Sequence, residues 1–316
     1  MKEIFVQDLN SMEGSEIIDF FAVSEKSIRK SRNGKFFIRV LCLDKTGQVT
    51  GFVWDNVPQF QDCFNVGDIV KLKALVTTFE GNLQLSIRNI RKAEDNEFDI
   101  ADFSPTTTKD TNKLLDRLFG FIDSVKNEYL SKLLHLFFDD KEFLEKYSKA
   151  PAAKNWHHNL VGGLLHHSTT VTTICDAVSP LYEGIDRDLL ITCAVLHDIG
   201  KIKEYTLAPF IDFTDEGRLI GHVVMGNKMV VDKCEEINNF PGDLLMKVEH
   251  LLLSHHGERE YGAAVPPKTK EALILHYADN LDAQVAGASD LIDKASEENS
   301  TWTDYHHLTN REYFTE

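Results

Sequence analysis

Asp188-Leu189-Leu190-Ile191-Thr192-Cys193-Ala194-Val195-Leu196-His197-Asp198-Ile199-Gly200-Lys201 reads as an apolar helix that carries adjacent His and Asp near its C-terminal end. Burying those two side chains beside Val195, Leu196 and Ile199 is costly unless something compensates, and a metal cation is one such compensation. A hydrogen-bonded core pair is the other reading, and for an isolated His-Asp dipeptide it is the better one. The surrounding sequence shifts that balance. Upstream stands Gly162-Gly163-Leu164-Leu165-His166-His167; downstream come Ile220-Gly221-His222, Leu253-Ser254-His255-His256-Gly257 and His276-Tyr277-Ala278-Asp279-Asn280. All 13 histidines lie at or after His135, and ten fall between His157 and His276.

The helical period extends on both sides of this stretch. Leu114, Leu115, Leu118, Phe119, Ile122 and Val125 follow the i, i+3, i+4 rule, residues 129 to 147 continue it, and everything after Thr111 reads as all-α. Before that the pattern is β. Short runs at 20 to 23, 36 to 43, 49 to 54, 69 to 78 and 83 to 90 are punctuated by Asn33-Gly34, Thr46-Gly47, Val66-Gly67-Asp68 and Glu80-Gly81-Asn82, which predicts five strands and a small barrel. Residues 94 to 112 are polar, with Pro105 and a run of three threonines, Thr106 to Thr108, the makeup of a linker. The expected division is 1–95, a β domain; 96–150, a linker and helical connector; and 151–316, a helical domain.

Charge separates the same parts. Residues 1 to 95 hold 13 basic and 13 acidic side chains, so the net charge of −16 belongs entirely to the remainder. Five cysteines without a C-x-x-C pair fit neither a disulfide framework nor a thiolate metal site, and read as reduced packing residues. No stretch approaches the ~20 consecutive apolar residues of a membrane span, and the N-terminus lacks the layout of a secretory signal. A soluble cytoplasmic protein with no membrane partner is expected. The helical part leaves room for a homo-oligomer.

The order H, HD, H, HH, D resembles the HD phosphohydrolase superfamily in its two-metal variant. That resemblance implies that His167, His197, Asp198 and Asp279 hold one divalent ion, with Asp198 bridging to a second held by His222, His255 and His256. A carboxylate has an oxygen for each ion, whereas a neutral imidazole serves one, and this donor set suits Mn²⁺, Fe²⁺ or Co²⁺ better than Mg²⁺. Two ions ~3.5 to 4 Å apart activate a water and clamp phosphoryl oxygens, which is phosphoester hydrolysis. Lys201, one turn after His197, is placed to reach a phosphate oxygen, or alternatively to answer the helix dipole. His166 points about 100° away from His167 on the same helix. His276 shares a face with Asp279 and is the alternative ligand there, His250 reads as structural, and His157 and His158 are candidates for substrate contact.

Phe36-Phe37-Ile38-Arg39-Val40-Leu41-Cys42-Leu43-Asp44-Lys45-Thr46-Gly47 and the run that follows resemble strands two and three of a nucleic-acid-binding OB-fold. Lys26, Arg29, Lys30, Arg32 and Lys35 form a basic hairpin beside Phe37, with Trp54 and Arg88 as further candidates, the mixture by which OB-folds hold single strands. Half of the aromatics must instead fill the barrel, because strand residues alternate in and out. A protein-binding or purely structural barrel is the plainer reading of a domain without net charge.

An OB-fold, a helical connector and an HD domain in this order, with Pro151-Ala152-Ala153, Arg187-Asp188-Leu189-Leu190, His197-Asp198-Ile199-Gly200-Lys201, Ser254-His255-His256-Gly257 and Ala278-Asp279-Asn280-Leu281-Asp282-Ala283, resemble the YhaM family of bacterial 3′-to-5′ exoribonucleases. This implies a Mn²⁺-dependent enzyme that trims single-stranded RNA, and also single-stranded DNA, from the 3′ end and releases nucleoside 5′-monophosphates. Trp156 stands between Asn155 and the pair His157-His158, where the family places the asparagine directly before the histidines. Two rival functions use parts of the same pattern: a phosphohydrolase of small or cyclic nucleotides, which has no use for the barrel, and a non-catalytic nucleic-acid-binding factor, which has no use for the ligands.

Overall fold

A computed structural model describes residues 2–31, 33–79, 81–103, 109–154, 160–206, 211–297, 300–307 and 309–315. The chain divides into two compact units, Met1–Thr106 with Thr206–Ile211, and Thr107–Tyr205 with Asp212–Glu316.

The first unit is built on five strands: β1 (Glu16–Lys30), β2 (Phe36–Asp44), β3 (Gly47–Val53), β4 (Ile69–Phe79) and β5 (Asn82–Lys92), with a one-turn helix α1 (Val57–Phe60) after β3. They close as β1-β2-β3-β5-β4, the five-stranded Greek-key barrel of an OB-fold. β1 is long enough to serve two neighbours. Glu16 to Ala22 pair with β4 and Ala22 to Lys30 pair with β2, and an irregularity between Val23 and Glu25 lets the strand turn from one to the other. Val40, Cys42, Val49, Val53, Leu72 and Leu85 fill the interior by strict alternation. β1 breaks that alternation, with every residue from Asp19 to Val23 buried. Phe20 and Ala22 pack outside the barrel on Ile69, Ala93 and Phe103, a second small core.

The second unit is helical: α2 (Thr111–Ser124), α3 (Glu128–Phe138), α4 (Lys141–Lys149), α5 (Gly163–Val178), α6 (Arg187–Leu196), α7 (Lys201–Glu204), α8 (Asp215–Ile220), α9 (His222–Glu235), α10 (Gly242–Ser254) and α11 (Lys270–Glu297). One apolar core runs through it, from Leu118 and Tyr147 to Leu190, Val248 and Leu275. The helices expected as a connector, α2 to α4, are thus packed into the same core as those that follow. The periodic run at 129 to 147 is two helices rather than one, because Asp140 accepts from the Glu142 and Phe143 N–H groups and starts a second. The opening stretch is also interrupted. α6 ends at Leu196, and His197 to Gly200 form a turn before α7. Two-residue strands β6 (Tyr205–Thr206) and β7 (Asp212–Phe213) depart from the all-α expectation. Among the described residues no helix is long and apolar enough to cross a membrane.

Four cysteines are buried and Cys63 is exposed. Burial pushes the Cys42 and Cys234 thiols up to about 12, which suppresses the reactive thiolate. A thiol-exchange reagent at pH 8 should therefore find a single fast-reacting group in the native protein, absent in Cys63→Ser. Two fast thiols in that assay would contradict the packing described.

Candidate metal centre

Helix ends deliver most of the site. His197 and Asp198 leave the C-terminus of α6, His255 and His256 leave that of α10, and His222 is the first residue of α9. His167 lies within α5, and Asp279 lies within α11. The approach of α9 depends on Gly200. A Cβ there would lie 2.0 Å from the His222 carbonyl oxygen and 2.7 Å from the Gly226 nitrogen, so only glycine lets the turn after Asp198 meet α9. Gly257 has φ +79, and a Cβ on it would enter the His276 ring.

The seven expected ligands form two groups, Asp198 with His222, His255 and His256, and His167 with His197 and Asp279; within each group the donor atoms lie within 4.8 Å of one another. Asp198 serves both. Its Oδ2 lies 3.4 Å from His167 Nε2 and 3.3 Å from His197 Nε2. Its Oδ1 lies 3.5 Å from His222 Nε2 and 3.6 Å from His255 Nε2. Such spacings are those of donors sharing a centre at ~2.1 Å.

The other ring nitrogens are already committed. His197 Nδ1–H donates to the Ala194 carbonyl at 2.8 Å and His255 Nδ1–H to the Leu252 carbonyl at 2.6 Å. His167 Nδ1 is 2.6 Å from Asp282, and His222 Nδ1 is 2.9 Å from Glu204. These acceptors assign the tautomers and turn the Nε2 lone pairs inward. His167 and His197 then face each other through Nε2 at 3.2 Å, and His222 and His256 at 3.0 Å. With both Nδ1 atoms committed, the His167 and His197 Nε2 atoms need a positive charge between them, a proton or a metal ion. Asp198 Oδ1 and His255 Nε2 are buried with no hydrogen-bond partner among the described residues, a cost that a cation removes. The donor set fits a metal.

Electrostatics agree. Burial holds His255 below the ordinary imidazole range and pushes His256 down to about 2, so both are neutral donors. Burial opposes charge on His167, yet Asp198, Asp279 and Asp282 outweigh it and favour a proton on the ring, the charge that a metal ion would replace. Burial likewise opposes ionisation of Asp198, but Lys201 and the histidines hold it well below the usual carboxylate range. Lys201 heads α7 and is buried, its Nζ 2.6 Å from Asp198 Oδ2. That places it at the centre and not on a dipole at a helix C-terminus. Glu204 and Asp282, both buried, are site residues that the sequence reading missed. Glu204 falls one turn after Lys201 and Asp282 one turn after Asp279, spacings that carry no signal in so acidic a chain.

His276 donates from Nδ1 to the His255 carbonyl at 2.9 Å, which makes it a support for the ligand pair and not a substitute for Asp279. His250 Nε2 accepts from the Lys268 N–H. His166 belongs to neither group. His157, His158 and Asn155 lie outside the described residues.

On the barrel, Phe37, Phe52 and Trp54 form one aromatic cluster, with ring centroids 4.7 to 6.0 Å apart. Register puts Arg29 across from Phe37 and Arg39 across from Phe52, so these share the outward face. Lys26 does not. It pairs with the buried Val40, and its ammonium donates to the Gln61 carbonyl at 2.6 Å and to that of Phe64, so it braces the end of the barrel. Lys30 lies over the Phe36 ring, Lys35 lines a groove with Phe36 and Trp54, and Arg88 is exposed but paired with Glu16 at 2.8 Å. Arg32 lies outside the described residues.

The HD domain family matches residues 164–284. A protein of Bacillus velezensis (strain DSM 23117 / BGSC 10A6 / LMG 26770 / FZB42) named 3′-5′ exoribonuclease YhaM is 34% identical over 274 residues, 86% of this chain and 86% of the relative. The protein of the same name from Bacillus subtilis (strain 168) is 32% identical over 285 residues, 90% and 88% of the two chains. Among solved structures, the second OB-fold domain of replication protein A from Methanococcus maripaludis aligns with 27% of this chain and 89% of its own at 21% identity and a TM-score of 0.22, too low to add to what the strand order shows. With identity above 30% across most of both chains, this protein belongs to the YhaM family of 3′-5′ exoribonucleases.

Proposed function

We propose that the protein is a metal-dependent 3′-to-5′ exoribonuclease that hydrolyses phosphodiester bonds in single-stranded RNA, releases nucleoside 5′-monophosphates, and accepts single-stranded DNA as a further substrate. The observation that supports it most is Asp198, one oxygen aimed at each of two donor groups, in a chain whose relatives carry that activity in their names. The site would hold two divalent transition-metal ions, Mn²⁺ foremost, which when bound supply an activated water and charge compensation for the phosphoryl oxygens. Lys201 places a fixed ammonium beside Asp198 Oδ2, where it offsets charge that grows on a phosphate in the transition state. The His222 and Asp279 side chains are 16% and 13% exposed while those of His167, His197, Asp198 and His255 are essentially sealed. A phosphate therefore approaches from the side of His222 and Asp279.

In this reading residues 1–95 hold the strand and 151–316 carry the chemistry, with α2 to α4 of the 96–150 segment packed into the same helical core, in the cytoplasm. Phe37, Phe52 and Trp54 offer faces for bases, and Arg29, Lys30 and Lys35 offer charge for the backbone. Base stacking on such rings contributes about 1–3 kcal/mol each. Trp54→Ala is thus expected to weaken single-stranded RNA binding by roughly 5- to 150-fold, read by fluorescence anisotropy, with hydrolysis of a dinucleotide little changed. Equal losses in both assays would remove the barrel from substrate binding.

The deciding experiment uses 5′-labelled and 3′-labelled single-stranded RNA with Mn²⁺ or with a chelator. A shortening ladder from the 5′ label, mononucleotide from the 3′ label, and arrest by chelator are expected. Inert RNA alongside turnover of a small or cyclic nucleotide would overturn the proposal.

A further inference from the structure

At four imidazoles of the centre the group beside Nδ1 is described, and these groups fall into a pattern. In the group of His167 and His197, one imidazole is backed by a carboxylate, Asp282 at 2.6 Å, and the other by a carbonyl, Ala194 at 2.8 Å. In the group of His222, His255 and His256 a carboxylate again stands beside one imidazole, Glu204 in close contact 2.9 Å from His222 Nδ1, and the Leu252 carbonyl accepts from His255 at 2.6 Å. Glu204 also accepts from the His222 backbone N–H at 3.0 Å, so it grips the residue twice at the start of α9. Asp282 and Glu204 are 7% and 4% exposed, and neither belongs to a donor group itself.

We infer, given two ions at this centre as proposed above, that Asp282 and Glu204 are dedicated positioning residues, each tuning one ion and not the other. A carboxylate behind Nδ1–H fixes the ring, raises the basicity of Nε2 and adds negative charge near the cation, while a carbonyl fixes the ring alone. Each donor group therefore holds one strengthened imidazole, beside His197 in the first and beside His255 and His256 in the second. Asp282 lies on α11 and Glu204 ends α7, so the two carboxylates act from different elements. The separation lets the two affinities be set independently.

The test is Mn²⁺ titration by calorimetry into chelator-stripped protein. Wild type should take up two ions per chain. His255→Ala leaves the group of His167, and in that background Asp282→Asn should weaken the remaining ion about 10- to 100-fold while Glu204→Gln changes it less than about 3-fold. In a His167→Ala background the two effects should exchange. Both amides keep an acceptor for Nδ1–H, so the loss reads charge; Glu204→Asp, which keeps the charge, should bind closer to wild type than Glu204→Gln does. Unfolding midpoints of the stripped variants, expected within a few degrees of their parents, separate this from a general loss of fold. Losses shared equally by both sites, no loss at either, or Glu204→Asp weaker than Glu204→Gln would overturn the inference while leaving a wild-type stoichiometry of two intact. A wild-type chain that binds one ion would instead overturn the two-ion reading itself.

Discussion

Asp198→Ala should leave no measurable hydrolysis, a fall of ~10⁴-fold or more in kcat/KM, which corresponds to about 5.5 kcal/mol of transition-state stabilisation. No other side chain can replace it. Its two oxygens face separate pairs of imidazole nitrogens at 3.3 to 3.6 Å, and every other donor at the centre belongs to one group alone. The substitution also strips the buried Lys201 ammonium of a partner at 2.6 Å. Breaking a buried pair from one side costs about 3–5 kcal/mol, so the unfolding midpoint should fall as well. Asp198→Asn keeps the shape and serves as the companion variant. It too should lose Mn²⁺ retention and hydrolysis, while single-stranded RNA binding by the barrel stays measurable by anisotropy. Activity within tenfold of wild type in either variant would refute the bridging role.

Gly200→Ala comes next in expected effect, although glycine takes no part in the chemistry. The added methyl meets the His222 carbonyl oxygen at 2.0 Å and the Gly226 nitrogen at 2.7 Å, both backbone atoms that no rotamer change can move aside. The turn after Asp198 and the start of α9 must separate, and His222 moves with α9. A misplacement of about 1 Å costs on the order of 10²-fold in rate, and overpacking costs about 1–3 kcal/mol or more. We expect a fall of that size in kcat together with a lower midpoint in urea. Wild-type values of both would show that the helices can yield, and the close approach would lose its role.

The candidate ligands were legible in the sequence because coordination chemistry restricts them to a few residue types, and His197-Asp198, His222 and His255-His256 stand in otherwise apolar or glycine-flanked surroundings. Glu204 and Asp282 were not legible. A carboxylate that backs a histidine looks like any other acidic residue among the 50 of this chain until α7, α9 and α11 are brought together. Lys201 does lie beside Asp198, but it begins a new helix where a continuous one was expected. On the barrel, period-two alternation announced that half of the aromatics face inward without saying which half. Pairing register decides it, and the same register removes Lys26 from the basic face by setting it opposite Val40.

By itself, the sequence determined the two-part architecture, the change from a period of two to a period near 3.6, and the seven candidate donors, because these are properties of local patterning and side-chain chemistry. Only the tertiary structure decided that Asp198 faces both groups, which carboxylates stand behind which imidazoles, and which face of the barrel is aromatic. Those are distances between elements far apart along the chain, set by how helices and strands pack rather than by any one stretch of residues.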